Sequence, residues 1–146
     1  MEVCKMKSDT DVPLVSIVVV TYNHEGFIDE CIESCVMQAQ SFPDIEIIVA
    51  DDGSHDGSPA KIIKWAQKYP CLIRPILSEV NSGIAVNLNR GLNAVRGKFI
   101  AWLGGDDIIL PEKILRQFEF LEGHISAAGC YHDAEVFAWP GGHTLG

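Results

Sequence analysis

LVSIVVVTYN, residues 14–23, is a run of β-branched side chains that ends abruptly in polar ones. A run without polar alternation predicts a strand covered on both faces, as in a parallel sheet. The chain after it repeats the theme. Residues 26–40 place Phe27, Ile28, Cys31, Ile32, Cys35 and Val36 at helical spacing. Residues 45–50 (IEIIVA) predict a second strand, and 58–69 a helix opened by a Ser58 cap with Pro59 behind it. Residues 73–77 and 99–103 predict two further strands, with helices over 84–95 and 111–122. Residues 127–138 suggest one or two more strands, followed by a Pro140-Gly141-Gly142 turn. Strands that alternate with helices imply right-handed crossovers and a mostly parallel sheet with helices on its faces, an α/β class.

In such sheets ligands bind at the carboxyl ends of the strands. The polar residues of this chain gather there. Thr21-Tyr22-Asn23, Asp51-Asp52, Asn81-Ser82-Gly83 and Asp106-Asp107 each follow a predicted strand. Four exits converging on one edge argue for a site better than any single motif does.

The bulk properties narrow the ligand. The chain has 146 residues, enough for one domain with a real core, and is 47% hydrophobic and 21% charged. Its formal net charge is −9, which excludes a nucleic-acid coat built on Lys and Arg. A phosphate-bearing ligand would need another neutralising group, and a divalent cation on carboxylates would serve. The five cysteines form no CxxC pair, and Cys31 and Cys35 suit one helix face, so all are read as reduced thiols of a cytosolic protein. Residues 1–12 are expected to be a polar leader without a signal-peptide core, and no apolar run is long enough to span a membrane. Peripheral association with a membrane stays open.

Several motifs fail. No GxGxxG is present, and Gly97-Lys98 lacks the first glycine of a phosphate loop, because Leu92 stands there. The stretch from Asp52 imitates a calcium loop, but its twelfth position is Ile63. Two acidic pairs remain. A carboxylate of Asp51-Asp52 can accept from a ribose hydroxyl or a base N–H, or can simply cap the Gly53-Ser54 turn. Asp106-Asp107 would repel each other unless a cation intervenes, and Mg²⁺ or Mn²⁺ would also supply positive charge. The other reading makes Asp107 a cap for the helix near Pro111. Asn87, Asn89 and Asn93 are unusual inside a helix, and Asn87 and Asn89 cannot share one face. Trp65 and Trp102 are expected in the core. Arg90, Arg96 and Lys98 suit a solvated face.

The order VSIVVVTYN, VADDGSHDGS, NSGIAVNLNRGLNAVRGKFIAWLGGDD and LPEKILRQ resembles the family 2 glycosyltransferases. The resemblance implies a GT-A fold, a Rossmann-like three-layer α/β/α sandwich that binds a nucleotide-diphosphate sugar. It implies transfer to a saccharide, a lipid or a protein-linked glycan in cell-surface polysaccharide biosynthesis, with inversion and with Mg²⁺ or Mn²⁺. By the same resemblance Thr21, Tyr22 and Asn23 lie at the base. Asp51 or Asp52 contacts base or ribose, and Asn81, Gly83 and Asn89 belong to the nucleotide loop. Asp106 and Asp107 are the metal-site acids, with Asp107 the direct ligand. The family often has Asp where Gly104 stands and Arg where Leu88 stands. Its catalytic base lies downstream, beyond Gly146, so residues 13–146 are expected to be the donor-binding part of a larger domain. The implied place is the cytoplasm or the inner face of the membrane. A binding module without turnover is the alternative. A nucleotidyltransferase is disfavoured, because no Gly-rich loop with a basic residue follows the first strand.

Overall fold

The computed structural model describes residues 12–138 and 143–144. Four strands, β1 (Val15–Thr21), β2 (Ile45–Asp51), β3 (Ile73–Leu77) and β4 (Phe99–Gly104), form one parallel sheet in the order β3-β2-β1-β4. The helices are α1 (Ile28–Ser41), α2 (Ser58–Lys68), α3 (Ile84–Asn93) and α4 (Lys113–Gly123). Every residue of β1 and β2 is buried, which is why these strands read as continuous apolar runs.

Alternate side chains of β1 go to opposite faces. Ile17 and Val19 meet Ile28, Ile32 and Cys35 of α1, together with Ile62 of α2 and Ile114 of α4. Val18 and Val20 meet Leu88 and Leu92 of α3. The result is the expected α/β/α sandwich, with α1, α2 and α4 on one face and α3 on the other. No helix among the described residues is long and apolar enough to cross a membrane.

Polar side chains hold the connections. Ser16 and Glu46, both buried in the sheet, meet when the Ser16 hydroxyl donates to Glu46 Oε1 at 2.6 Å. Arg96 donates its backbone N–H to the same oxygen at 2.8 Å and its Nε–H to Oε2 at 2.9 Å. Gly97 N–H donates to Ser16 Oγ at 2.9 Å, and a Cβ on Gly97 would meet Ser16 N at 2.6 Å. This network pins the turn between α3 and β4. On the other face the fully buried Gln38 of α1 serves the segment before α4. Its amide donates to Leu110 O at 3.0 Å, and its Oε1 accepts from Ile114 N–H at 3.2 Å.

Five expectations change. Residues 127–136 form no strand, and only Phe137–Ala138 pairs, antiparallel, with His143–Thr144. Most side chains of 127–136 are exposed, so no packing surface rewards an extended ladder there. Trp102 is 63% exposed, because β4 is the edge of the sheet and α3 covers its neighbours. Ser58 is the first residue of α2 and not its cap; Asp56 Oδ1 accepts from Ser58 N–H instead. The α4 helix begins at Lys113, where Gln38 substitutes in trans for the missing side-chain cap. Cys31, Cys35 and Cys130 are free thiols, but Cys71 is disulfide-bonded.

Burial raises the pKa of the Glu46 carboxyl. The Ser16 hydroxyl and Arg96, through its N–H and its charge, more than offset this and hold it below the usual glutamate value. A depressed folded pKa gives stability that is present above the unfolded value and is lost as pH falls through the folded one. In paired urea titrations at pH 6 and pH 3.5, Glu46→Gln should lose less stability on acidification than the parent. Equal losses would exclude Glu46 as a contributor to the acid limb.

Candidate functional site

The parallel register brings the strand exits level. Thr21 pairs with Asp51, Val20 with Gly104, and Asp51 with Leu77. The loops that leave these positions enclose a cavity of about 380 Å³ at the carboxyl edge of the sheet. Of the residues singled out in the sequence, Thr21, Tyr22, Asp52, Asn81, Gly83 and Asp106 line it. Asn23, Asp51, Asn89 and Asp107 do not. Larger hollows lie beside β4 and beside β3, but neither gathers these residues.

The two acids at the end of β2 both accept hydrogen bonds from the fold. Asp51 caps the turn that follows it: Ser54 N–H donates to Oδ1 at 3.0 Å, and the Ser54 hydroxyl donates to Oδ2. Asp52 reaches across to the start of α3. Ser82 N–H donates to Oδ1 and Oδ2 at 3.0 and 3.1 Å, Gly83 N–H donates to Oδ2 at 2.7 Å, and Arg90 Nη1 donates to Oδ1 at 2.8 Å. Arg90 Nη2 also donates to Ser82 Oγ at 2.8 Å. Three N–H donors thus make four contacts and engage both carboxylate oxygens. Burial alone would raise the pKa of Asp52, but these N–H donors and the guanidinium hold it below the ordinary aspartate value. Arg90, expected on a solvated face, is therefore part of a latch. Two glycines make the latch possible. Gly83 has φ +88°. Gly53 has φ +75°, and a Cβ there would lie 2.8 Å from Asn81 N.

Asn23, also at positive φ, staples β1 to β2: Ser54 Oγ accepts from Asn23 N–H at 2.8 Å, and Asn23 Oδ1 accepts from His55 N–H at 2.9 Å. Asn89 is exposed on α3. Among the second pair of acids, Asp106 faces the cavity. Asp107 turns back, and its Oδ2 accepts from Gly104 N–H at 3.1 Å. Gly104 leaves room for both, since a Cβ would meet Asp106 Oδ1 at 2.6 Å and Asp107 Oδ2 at 3.2 Å. Beneath them the Cys31 thiol donates to Gly104 O at 3.4 Å. Its contact with Cys35, burial and the charges of Asp107 and Asp106 push its pKa up, so it stays protonated.

Two candidate residues emerge from the structure: His24 and Asn87. Among the described residues, four buried side-chain polar atoms lack a hydrogen-bond partner. Three of them, Thr21 Oγ1, His24 Nδ1 and Asn87 Oδ1, belong to residues that line this one cavity. Native interiors rarely leave such atoms unmet without a ligand or water to satisfy them. His24 Nδ1 lies 3.9 Å from Asp106 Oδ1. A Cβ on Gly105 would sit 2.6 Å from Thr21 Oγ1 and 2.9 Å from His24 Nδ1, so the glycine admits both. The signal for Asn87 was present in its poor helix propensity; His24 gave none.

No group of three His, Cys, Asp or Glu side chains poised to hold a metal occurs among the described residues. Mg²⁺ and Mn²⁺ need fewer protein ligands when phosphate and water complete the shell, and the Asp106 carboxylate at the cavity, with Asp107 next to it, offers oxygen donors of the kind such ions take.

Comparison with known proteins agrees with this geometry. The glycosyl transferase family 2 profile matches residues 16–137. An uncharacterized glycosyltransferase of Methanocaldococcus jannaschii is 37% identical over 82% of this chain and 41% of its own length. The uncharacterized glycosyltransferase EpsJ of Bacillus subtilis is 38% identical over 82% of this chain and 34% of its own. Staphylococcus aureus TarS, solved in complex with UDP-GlcNAc, superposes with a TM-score of 0.67 at 29% identity, over 76% of this chain and 32% of that one. A mannosyltransferase from Pyrobaculum calidifontis in complex with GDP-Man and Mn²⁺ shares the fold, with a TM-score of 0.68 at 24% identity, over 75% of this chain and 32% of that one. The chain thus spans 32% to 41% of the length of these relatives. A parallel GT-A sandwich, its polar strand exits and a profile match over most of its length place the chain in glycosyl transferase family 2.

Proposed function

We propose that residues 13–146 are the nucleotide-sugar-binding part of a glycosyltransferase. The observation that carries this reading is the cavity at the carboxyl edge of the sheet, with unmet polar atoms at its floor and Asp106 at its rim, in a member of this family. The complexes of TarS with UDP-GlcNAc and of the archaeal mannosyltransferase with GDP-Man support it by analogy. The reaction proposed is transfer to a glycan or lipid-linked hydroxyl with inversion at the anomeric carbon, in cell-surface polysaccharide synthesis at the inner face of the membrane.

The roles follow from placement. Tyr22 and Ile84, both exposed beside the cavity, supply apolar surface for a flat base. The Asp52–Arg90 latch holds Ser82 and Gly83, and thereby the first turn of α3, in position. Asp106 and Asp107 would hold Mg²⁺ or Mn²⁺, which when bound supplies positive charge to the departing diphosphate. Of the cavity's carboxylates Asp52 is saturated and Asp106 belongs to the proposed metal site. Neither is therefore assigned as the base that deprotonates the acceptor.

Calorimetry with UDP-, GDP-, dTDP- and CDP-sugars, with and without Mn²⁺, tests the reading. At least one should bind the folded chain, and Mn²⁺ should tighten it. In Asp106→Ala and Asp107→Ala the Mn²⁺-dependent gain should fall by about tenfold or more. Failure of every donor to bind would defeat the proposal, and an unchanged Mn²⁺ gain in both variants would defeat the metal assignment.

The latch has its own consequence. Asp52→Asn turns an amide N–H₂ toward N–H donors and should lower unfolding free energy by roughly 1–3 kcal/mol. Amide exchange at Ser82 and Gly83 should accelerate more than in the centre of β1. Uniform acceleration would instead indicate global loosening.

A further inference from the structure

We infer that Asn87 is a specificity-determining residue, whose Oδ1 accepts a hydrogen bond from a ring N–H of the nucleobase; this deepens the donor-site reading and rests on it. Asn87 is only 2% exposed and faces the sheet from the first turn of α3. Its Nδ2 donates to Ala50 O at 2.7 Å and points to Thr21 O at 3.5 Å. Those two carbonyls fix the amide, because the flipped orientation would set Oδ1 against two acceptors. Oδ1 is then left as a buried acceptor with no protein partner, on a residue that lines the cavity. Neither acid after β2 can do the same job. Asp51 is turned onto Ser54, and Asp52 is filled by Ser82, Gly83 and Arg90.

A fixed acceptor without a protein partner, on a residue that lines the cavity, calls for a hydrogen from the ligand. The flanking apolar surfaces of Tyr22 and Ile84 suit a planar ring better than a ribose. Uracil, thymine and guanine carry a ring N–H beside a carbonyl. Cytosine and adenine carry a bare ring nitrogen at the corresponding place, which would set lone pair against lone pair. The unpartnered Thr21 hydroxyl can donate to the adjacent carbonyl; because a hydroxyl can also accept, the discrimination rests on Asn87 Oδ1. An unmet buried acceptor is costly, so the site should discriminate between bases more strongly than an apolar slot could.

Calorimetry with UDP, GDP, CDP and ADP, in Mn²⁺ throughout, reads this directly. UDP or GDP should bind at least about tenfold more tightly than CDP and ADP. In Asn87→Ala, checked for folding by circular dichroism, that spread should collapse toward unity while binding of inorganic pyrophosphate stays as in the parent. The parent protein gives a test that needs no variant: 3-methyl-UDP, which lacks the N–H, should bind at least about tenfold more weakly than UDP if UDP is a ligand. If GDP alone binds, 1-methyl-GDP takes its place. Equal binding of the methylated and unmethylated nucleotides would overturn the assignment, as would a parent preference for CDP or ADP. Binding of none of the four nucleotides would overturn the donor reading itself, and is a different result from binding without discrimination.

Discussion

The position of β1 constrains everything else in this chain. It is paired in parallel on both edges, with β2 on one side and β4 on the other, and buried on both faces. A parallel ladder has one register per pair, and a slip by one residue would send each core side chain to the opposite face. The register seen here sets Thr21 level with Asp51 and Val20 level with Gly104. Because all strands run the same way, their exits share one edge, and the cavity is a result of that geometry and not of any single loop. The burial that fixes the register also makes the strand tips rigid enough to hold polar atoms without partners.

Satisfaction of hydrogen bonds then separates scaffold from site. Asp51, Asp52, Asn23, Gln38 and Glu46 are polar and central, yet each is occupied by named backbone or side-chain groups. They position loops. Thr21, His24 and Asn87 carry the unmet atoms, and all three border the same space. Polarity at a strand exit therefore does not by itself mark a ligand contact. What marks it is polarity that the fold leaves unspent.

That distinction explains which parts were legible in the sequence. Strands β1 and β2 were plain, because burial on both faces leaves no alternation to misread. Helix faces followed from spacing, as with Ile28, Cys31, Ile32 and Cys35. The exposure of Trp102 was not legible, since being at an edge depends on strand order, which local pattern does not encode. The acidic pairs were located but not resolved. Whether a neighbour caps a turn or faces a cavity depends on a few degrees of backbone and on partners about 30 residues away, as with Asp52 and Ser82. Asn87 was conspicuous as a poor helix former, but only the carbonyls of Ala50 and Thr21 explain what orients it.

The charge pattern adds the last step. The chain carries a net charge of −9, and three of its cations beside the sheet are already engaged: Arg90 with Asp52, Arg96 with Glu46, Lys98 with Glu122. Among the described residues no Lys or Arg lines the cavity. A diphosphate placed there would meet Asp106 without a compensating side chain, and at contact distance that repulsion is substantial outside bulk water. In the donor reading, Asp106 and Asp107 are therefore tolerable only as holders of a cation. In that reading, anion binding and metal binding are two halves of one event. Arg90 adds to this reading: its guanidinium is spent on Asp52 and Ser82, holding the loop before α3.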